Sequence, residues 1–219
     1  MLRACLVAAF ILSAASIASA EAPMPPPPAD AASVKAAMED YFAGEKRGGY
    51  LLMGLGAGGL VSGVLLYRSS SLRAKGASYP LLTIGVLHLA AGIFVYVASS
   101  GRIDKFGDQI DKDAPAFVRE ERKRMKGVST QFTVLKIAEI ALIAGGLTMA
   151  GVGWRTDRPR LAGAGLALAL EMALTLGFDI WASRRAHDYR DELARLDVSA
   201  SLDTQRHRPI VMIGHSGAF

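Results

Sequence analysis

Five ionisable side chains stand in stretches that otherwise suit only a lipid interior: His88, Lys136, Glu139, Glu171 and Asp179. Such groups are costly at membrane depth, so they are expected to face a bundle interior or a wet cavity with a partner in reach. Helical spacing agrees. Glu139 falls in line with Ile143, Gly146, Ala150 and Gly153, His88 with Gly85, Ala91 and Gly92, and Glu171 with Ala164, Ala167 and Thr175. These are faces of small residues, where helices approach closely. Similar depth predicts a His88–Glu171 hydrogen bond near the midplane. It also predicts that Lys136 pairs with Glu139 one turn away or with Asp179 across a hairpin. Two chemistries are open to this set: adhesion between helices, worth about 0.6–2 kcal/mol per contact, or a path for ions or protons.

Other candidate chemistry is weaker. Haem at His88 lacks a second histidine at that depth and would need Met149 or Met172 as its other axial ligand. His187, His207 and His215 have no metal-ligand spacing. The "GLGAGG" of residues 54–59 matches a dinucleotide-binding glycine pattern, but it lies inside an apolar span and has no acid about 20 positions on. The terminal "IVMIGHSGAF" resembles a strand leading to a nucleophile elbow around Ser216, but Ala218 replaces the final glycine and Phe219 ends the chain. No nucleophile–base pair and no metal constellation stands out, so the expectation is no catalytic residue, no metal, no cofactor and no enzyme.

The elements that position the five residues are legible from clustering. Four apolar blocks run at about 49–67, 80–99, 132–154 and 161–182. Each has about 20 residues, which at about 1.5 Å per residue matches a hydrocarbon core of about 30 Å. Backbone groups in lipid must bond internally, which predicts helices. Tyr50, Tyr67, Tyr79, Tyr96, Trp154 and Trp181 lie near block ends, as interfacial aromatics do. Before the blocks, "MLRACLVAAFILSAASIASA" reads as a signal peptide over 1–20. Its Cys5 is the only cysteine, so a cleaved chain has no thiol chemistry. Residues 21–48 form a Pro-rich spacer and then a short helix, with Asp30 or Ser33 as cap and Val34, Met38 and Tyr41 on one face.

The expected fold is therefore all-α: an integral membrane four-helix bundle of two repeated hairpins, 49–99 and 132–182, with helical extensions outside. The extensions are the loop 100–131 and the segment 183–219. Ile103, Phe106 and Ile110 recur at helical spacing in the first, and Ala186, Tyr189, Leu193 and Leu196 in the second. The charge run "REERKRMK" reads as a solvated helix face. The repeat rests on "AGGLVSGVLLYRSSSLR" (57–73) against "AGGLTMAGVGWRTDRPR" (144–160). Helix packing is expected along Gly54–Gly58–Ser62 and Gly59–Gly63 in the first hairpin, and along Gly146–Ala150 in the second.

Short basic turns at 68–79 and 155–160 belong in the cytoplasm by the positive-inside rule. The mature termini are then outside a cell membrane, the inner membrane in a Gram-negative cell. The net charge of +5 belongs to these orientation signals rather than to nucleic-acid binding. The expected partners are the bilayer and, through the outside helices, a second copy or another envelope protein. The leading functional expectation is a non-enzymatic envelope scaffold or interaction protein. The alternative is a small ion- or proton-coupled transporter or channel subunit using His88, Glu139 and Glu171.

Overall fold

The computed structural model describes residues 31–206, with side chains through Asp197. The signal peptide, most of the Pro-rich spacer, the Asp30 cap, His207, His215 and the Ser216 motif lie outside the described residues. Three helices account for nearly all of what is described: α1 (Ala31–Tyr67), α2 (Leu72–Arg155) and α3 (Pro159–Arg206). Among the described residues there is no strand. Each of the three helices is long and apolar enough to cross a membrane.

Three helices stand in place of the expected four because the segment between the second and third blocks is itself helical, broken only at Asp113. α1 runs from its N-terminal amphipathic segment straight through Gly48 and Gly49 into the first apolar block. α2 holds the second and third blocks together with the whole loop between them. It is not straight. Straight, its 84 residues would reach about 126 Å at about 1.5 Å per residue. Asp113 leaves the helical conformation (φ −158°, ψ 85°), and Pro115 follows it. Proline has no N–H to donate and its ring collides with the carbonyl four residues back, so the helix stops and restarts. Asp113 caps the restart, its Oδ1 accepting from Ala116 N at 2.9 Å. Both ends of α2 reach the first turns of α3: Gly76 against the Arg160 backbone, and Gly153 against Ala162. The helix therefore folds back on itself at Asp113.

The two short turns lie at the same end. Ser71 caps α2, accepting from Ala74 N. At the α2–α3 turn, Asp157 takes a left-handed φ of 50°, and Arg158 N bonds to Gly153 O at 2.8 Å. That pairing closes a helix C-terminus with its orphan carbonyls satisfied.

Burial divides the molecule along its length. The apolar core is built from the segments that flank the apolar blocks, at the end of the molecule away from the two short turns and therefore called outer: Val34, Met38 and Phe42 of α1, Ile110, Phe117 and Met125 of α2, and Tyr189 and Leu193 of α3. Large exposed hydrophobics such as Leu65, Leu87, Phe94, Val97, Ile137 and Leu170 lie in the four apolar blocks. There the helices touch through glycine. A Cβ on Gly56 would stand 2.7 Å from Gly85 O, one on Gly92 2.6 Å from Gly49 O, and one on Gly146 2.8 Å from Gly165 O.

Candidate functional site

Of the five ionisable residues in the apolar blocks, His88, Glu139, Glu171 and Asp179 are buried between helices, and Lys136 is half-buried. Their partners differ from those expected. His88 does not reach Glu171. Its Nε2 lies 3.0 Å from Thr175 Oγ1, while the Thr175 hydroxyl donates to the Glu171 carbonyl at 2.8 Å. A hydroxyl has one proton to give, so the geometry sets His88 Nε2 as the donor. His88 Nδ1 is then a buried acceptor without a partner. Thr175 is one turn closer to the outer end than Glu171, and a one-turn rise of about 5.4 Å decides which side chain His88 meets.

Lys136 forms no close ion pair. Its Nζ donates to Ser183 Oγ at 3.3 Å, and it acts on Glu139 and Asp179 only as a nearby positive charge. Glu139 and Asp179 instead lie near each other across α2 and α3, close enough to interact electrostatically, and Glu139 Oε2 is buried without a hydrogen-bond partner. His88, Thr175, Asp179, Glu139, Lys136 and Ser183 thus form one run of neighbours. Glu171 stands apart from it. No hydrogen bond or ion pair reaches its side chain among the described residues, although it is only 6% exposed.

The glycine lines also differ from expectation. Gly59, Gly63, Gly146 and Ala150 are at helix contacts, but Gly54 and Gly58 have nothing within 4 Å of where a Cβ would be, and Ser62 is exposed. The packing face of α1 is Gly49–Gly56–Gly63, with Gly59 beside it. Spacing by four and spacing by seven both satisfy helical geometry, and only the position of α2 chooses between them.

A second polar group lies in the outer core, where sequence pattern alone pointed to a solvated face. The run "REERKRMK" is not wholly such a face. Glu121 is 3% exposed, and Arg124 binds it through Nε at 2.7 Å and Nη2 at 2.6 Å. The Arg124 guanidinium also lies over the rings of Phe42 and Phe106. Tyr41 and Tyr189 stack with centroids 4.4 Å apart. The Tyr41 hydroxyl donates to Glu45 Oε1 at 2.8 Å, and Ser99 donates to Glu45 Oε2 at 2.8 Å. Burial first, then the Glu45 charge and hydrogen bond, push the Tyr41 hydroxyl far above the usual phenol range. Burial and then the Glu121 charge do the same for Tyr189. For Arg124, burial favours the neutral form, but the hydrogen bonds and charge of Glu121 outweigh it and raise the guanidinium further. A signal for this inner ion pair exists in the sequence: Glu121 shares a helical face with Phe117 and Met125, at four-residue intervals.

Across the helices the outer module is closed by Arg122 with Asp197, by Lys35 with Asp111 at 3.5 Å, and by Arg185 on the Asp40 carbonyl at 3.0 Å. The Arg185 guanidinium lies where a Cβ on Gly44 would stand, so a larger residue there would displace the arginine tip. Among the described residues no group of histidine, cysteine and carboxylate side chains has the geometry to hold a metal ion.

What fold and site define together is an all-helical chain with apolar stretches of membrane length and, at one end, a packed module with an apolar core and a buried ion pair. No protein-family model matches this chain, and no curated protein or solved structure matches it.

Proposed function

We propose that this chain is a multi-pass integral membrane protein whose outer helical module serves as a scaffold or interaction surface in the cell envelope. One observation carries the reading: the packed core belongs to the outer segments, and the exposed hydrophobics belong to the apolar blocks. In water that exposed surface would be an aggregation site. In lipid it is the solvent-facing side. The tyrosines support the same boundaries. Tyr50 and Tyr67 are 17 residues apart, as are Tyr79 and Tyr96, which at about 1.5 Å per residue is about 26 Å. Tyr50 packs on Tyr96, and Tyr67 on Tyr79, so the rings form two belts.

In this reading the spans number four, because α2 crosses twice. The basic turns are cytoplasmic, and the outer module with both mature termini is on the other side. Reciprocal contacts support two repeated hairpins. Gly76 packs on Arg160, and Gly163 packs on Arg73. The sequence repeat equates Gly76 with Gly163 and Arg73 with Arg160. Mutual contacts of that kind are the mark of a two-fold relation. His88 and Thr175 are equated by the same shift, so their hydrogen bond lies on the axis.

The interhelical hydrogen bonds of His88 with Thr175 and of Lys136 with Ser183 favour adhesion between helices. Photo-crosslinking residues at the exposed Lys105, Lys112 and Lys123 test the interaction role in intact cells, with the lipid-facing Leu87 and Val97 as controls. Discrete protein adducts from the three outer sites are expected. Adducts from none of them, in a chain that remains folded, would remove the interaction reading. The unbroken run of polar neighbours is the one observation favouring a proton- or ion-coupled pathway. Dissipation of a pH gradient by reconstituted protein separates that alternative from the scaffold.

A further inference from the structure

Between α1 and α3, within the apolar blocks, lies a groove of about 870 Å³. That is the size of a drug-like ligand's site. Leu51, Leu55, Leu170 and Leu174 line its walls, and Phe178 and Trp181 contribute rings with Tyr50. Gly54 and Gly58 form one side, where no side chain intrudes. Glu171 is also part of the lining. Its Oε1 is 3.6 Å from where a Cβ on Gly59 would be.

Three observations make this carboxyl group a recognition element rather than a packing residue. His88 is hydrogen-bonded to Thr175, and Glu139 and Asp179 lie within electrostatic reach of each other and of Lys136, whereas no polar or charged side chain acts on Glu171 among the described residues. The repeat equates Glu171 with Ile84, also buried, so the fold accepts an apolar side chain at that place. The occupants nearest to hand also bring no partner for it. An acyl chain has no donor. A second copy of this chain has no exposed basic residue in its apolar blocks, since His88 is buried and bonded to Thr175, and Lys136 is turned to Ser183. A carboxyl group covered by either would have to stay neutral and without a hydrogen-bond partner.

We infer that the α1–α3 groove binds a lipophilic cation, its charge held by Glu171 and its apolar body by the leucine walls and aromatic rings. The site asks for an apolar molecule of about this volume with a positive centre that needs no water. The ring faces add attraction for such a centre, and Trp181 already has the Arg185 guanidinium 5.6 Å from its ring. The inference does not rest on the scaffold reading: binding at the groove and crosslinking at the outer helices fail independently.

The full chain in phosphatidylcholine nanodiscs, titrated with tetraphenylphosphonium by equilibrium dialysis, tests it. Saturable binding of one cation per chain is expected. E171Q, nearly isosteric, should weaken binding at least tenfold with thermal unfolding unchanged, and E171D should retain saturable binding. G58L should abolish binding, because its side chain enters a groove where no atom stands within 4 Å of the Cβ position. Neutral tetraphenylsilane and anionic tetraphenylborate should only partition. Equal uptake by the wild type and E171Q would overturn the proposal. So would saturable binding of the neutral analogue, or quantitative disulfide dimerisation of a Gly54→Cys chain, which would make a second copy the occupant.

Discussion

Exchanging Gly56 for alanine, with Gly58 exchanged in parallel, tests how the apolar stretches of the helices are held together. The two residues differ by half a turn on α1 and have the same intrinsic gain on becoming alanine, up to about 1 kcal/mol. At Gly58 the new Cβ meets nothing within 4 Å. At Gly56 it falls 2.6 Å from Leu89 N and 2.7 Å from Gly85 O, both backbone atoms of α2. Ordinary contact begins at 3.4 Å, so the helices must part by several tenths of an ångström. Backbone cannot swing aside as a side-chain tip does, and overpacking of this kind costs about 1–3 kcal/mol. The neighbouring approaches of Gly49 on Gly92 and of Gly59 on Leu81 loosen with it. G56A is expected to lose about 1–2 kcal/mol net, whereas G58A stays level or gains up to about 1 kcal/mol. Equilibrium unfolding in mixed micelles, with helicity followed against the mole fraction of dodecyl sulfate, reads the difference. Equal destabilisation by the two variants would refute the Gly49–Gly56–Gly63 seam and restore the Gly54–Gly58–Ser62 line.

The outer core carries two further expectations. Arg124→Ala leaves Glu121 buried without its partner and should cost about 3 kcal/mol; a loss under about 0.5 kcal/mol would mean that water or another donor reaches Glu121. Tyr41 and Tyr189 have folded-state pKa values raised by burial and by Glu45 and Glu121. A raised folded value means that their stabilisation is complete below the unfolded tyrosine pKa near 10 and is lost as pH rises beyond it. Tyrosinate absorbance should therefore show two tyrosines ionising only with loss of the outer helical signal, and ionisation of all six tyrosines near pH 10 without unfolding would contradict the stacked, buried pair.

Much of this architecture is written locally. Four runs of about 20 apolar residues separated by basic turns and charged segments dictate helices of membrane length, because the backbone in lipid has no other partner. Small residues one turn from His88, Glu139 and Glu171 mark their faces as inward, and all three are buried. Local pattern also places Val34, Met38 and Tyr41 on one face, and Tyr189 and Leu193 on another, and all five are in the outer core. These properties depend on neighbours within a turn or two of helix, and periodicity reports such distances.

Partner choice depends on the relative rotation and sliding of helices far apart in sequence, and only the tertiary structure decided it. A shift of one turn gave His88 to Thr175 instead of Glu171. A rotation of half a turn put Gly56 rather than Gly58 against α2. The helix break at Asp113 brought Glu121 and Arg124 beneath Tyr41 and Tyr189, so that an apparent surface charge run became an inner ion pair. Glu171 was turned toward a groove and away from the other polar groups. A residue's neighbours along a helix are set by a fixed rise and rotation, but its neighbours across helices are set by the packing of every contact at once.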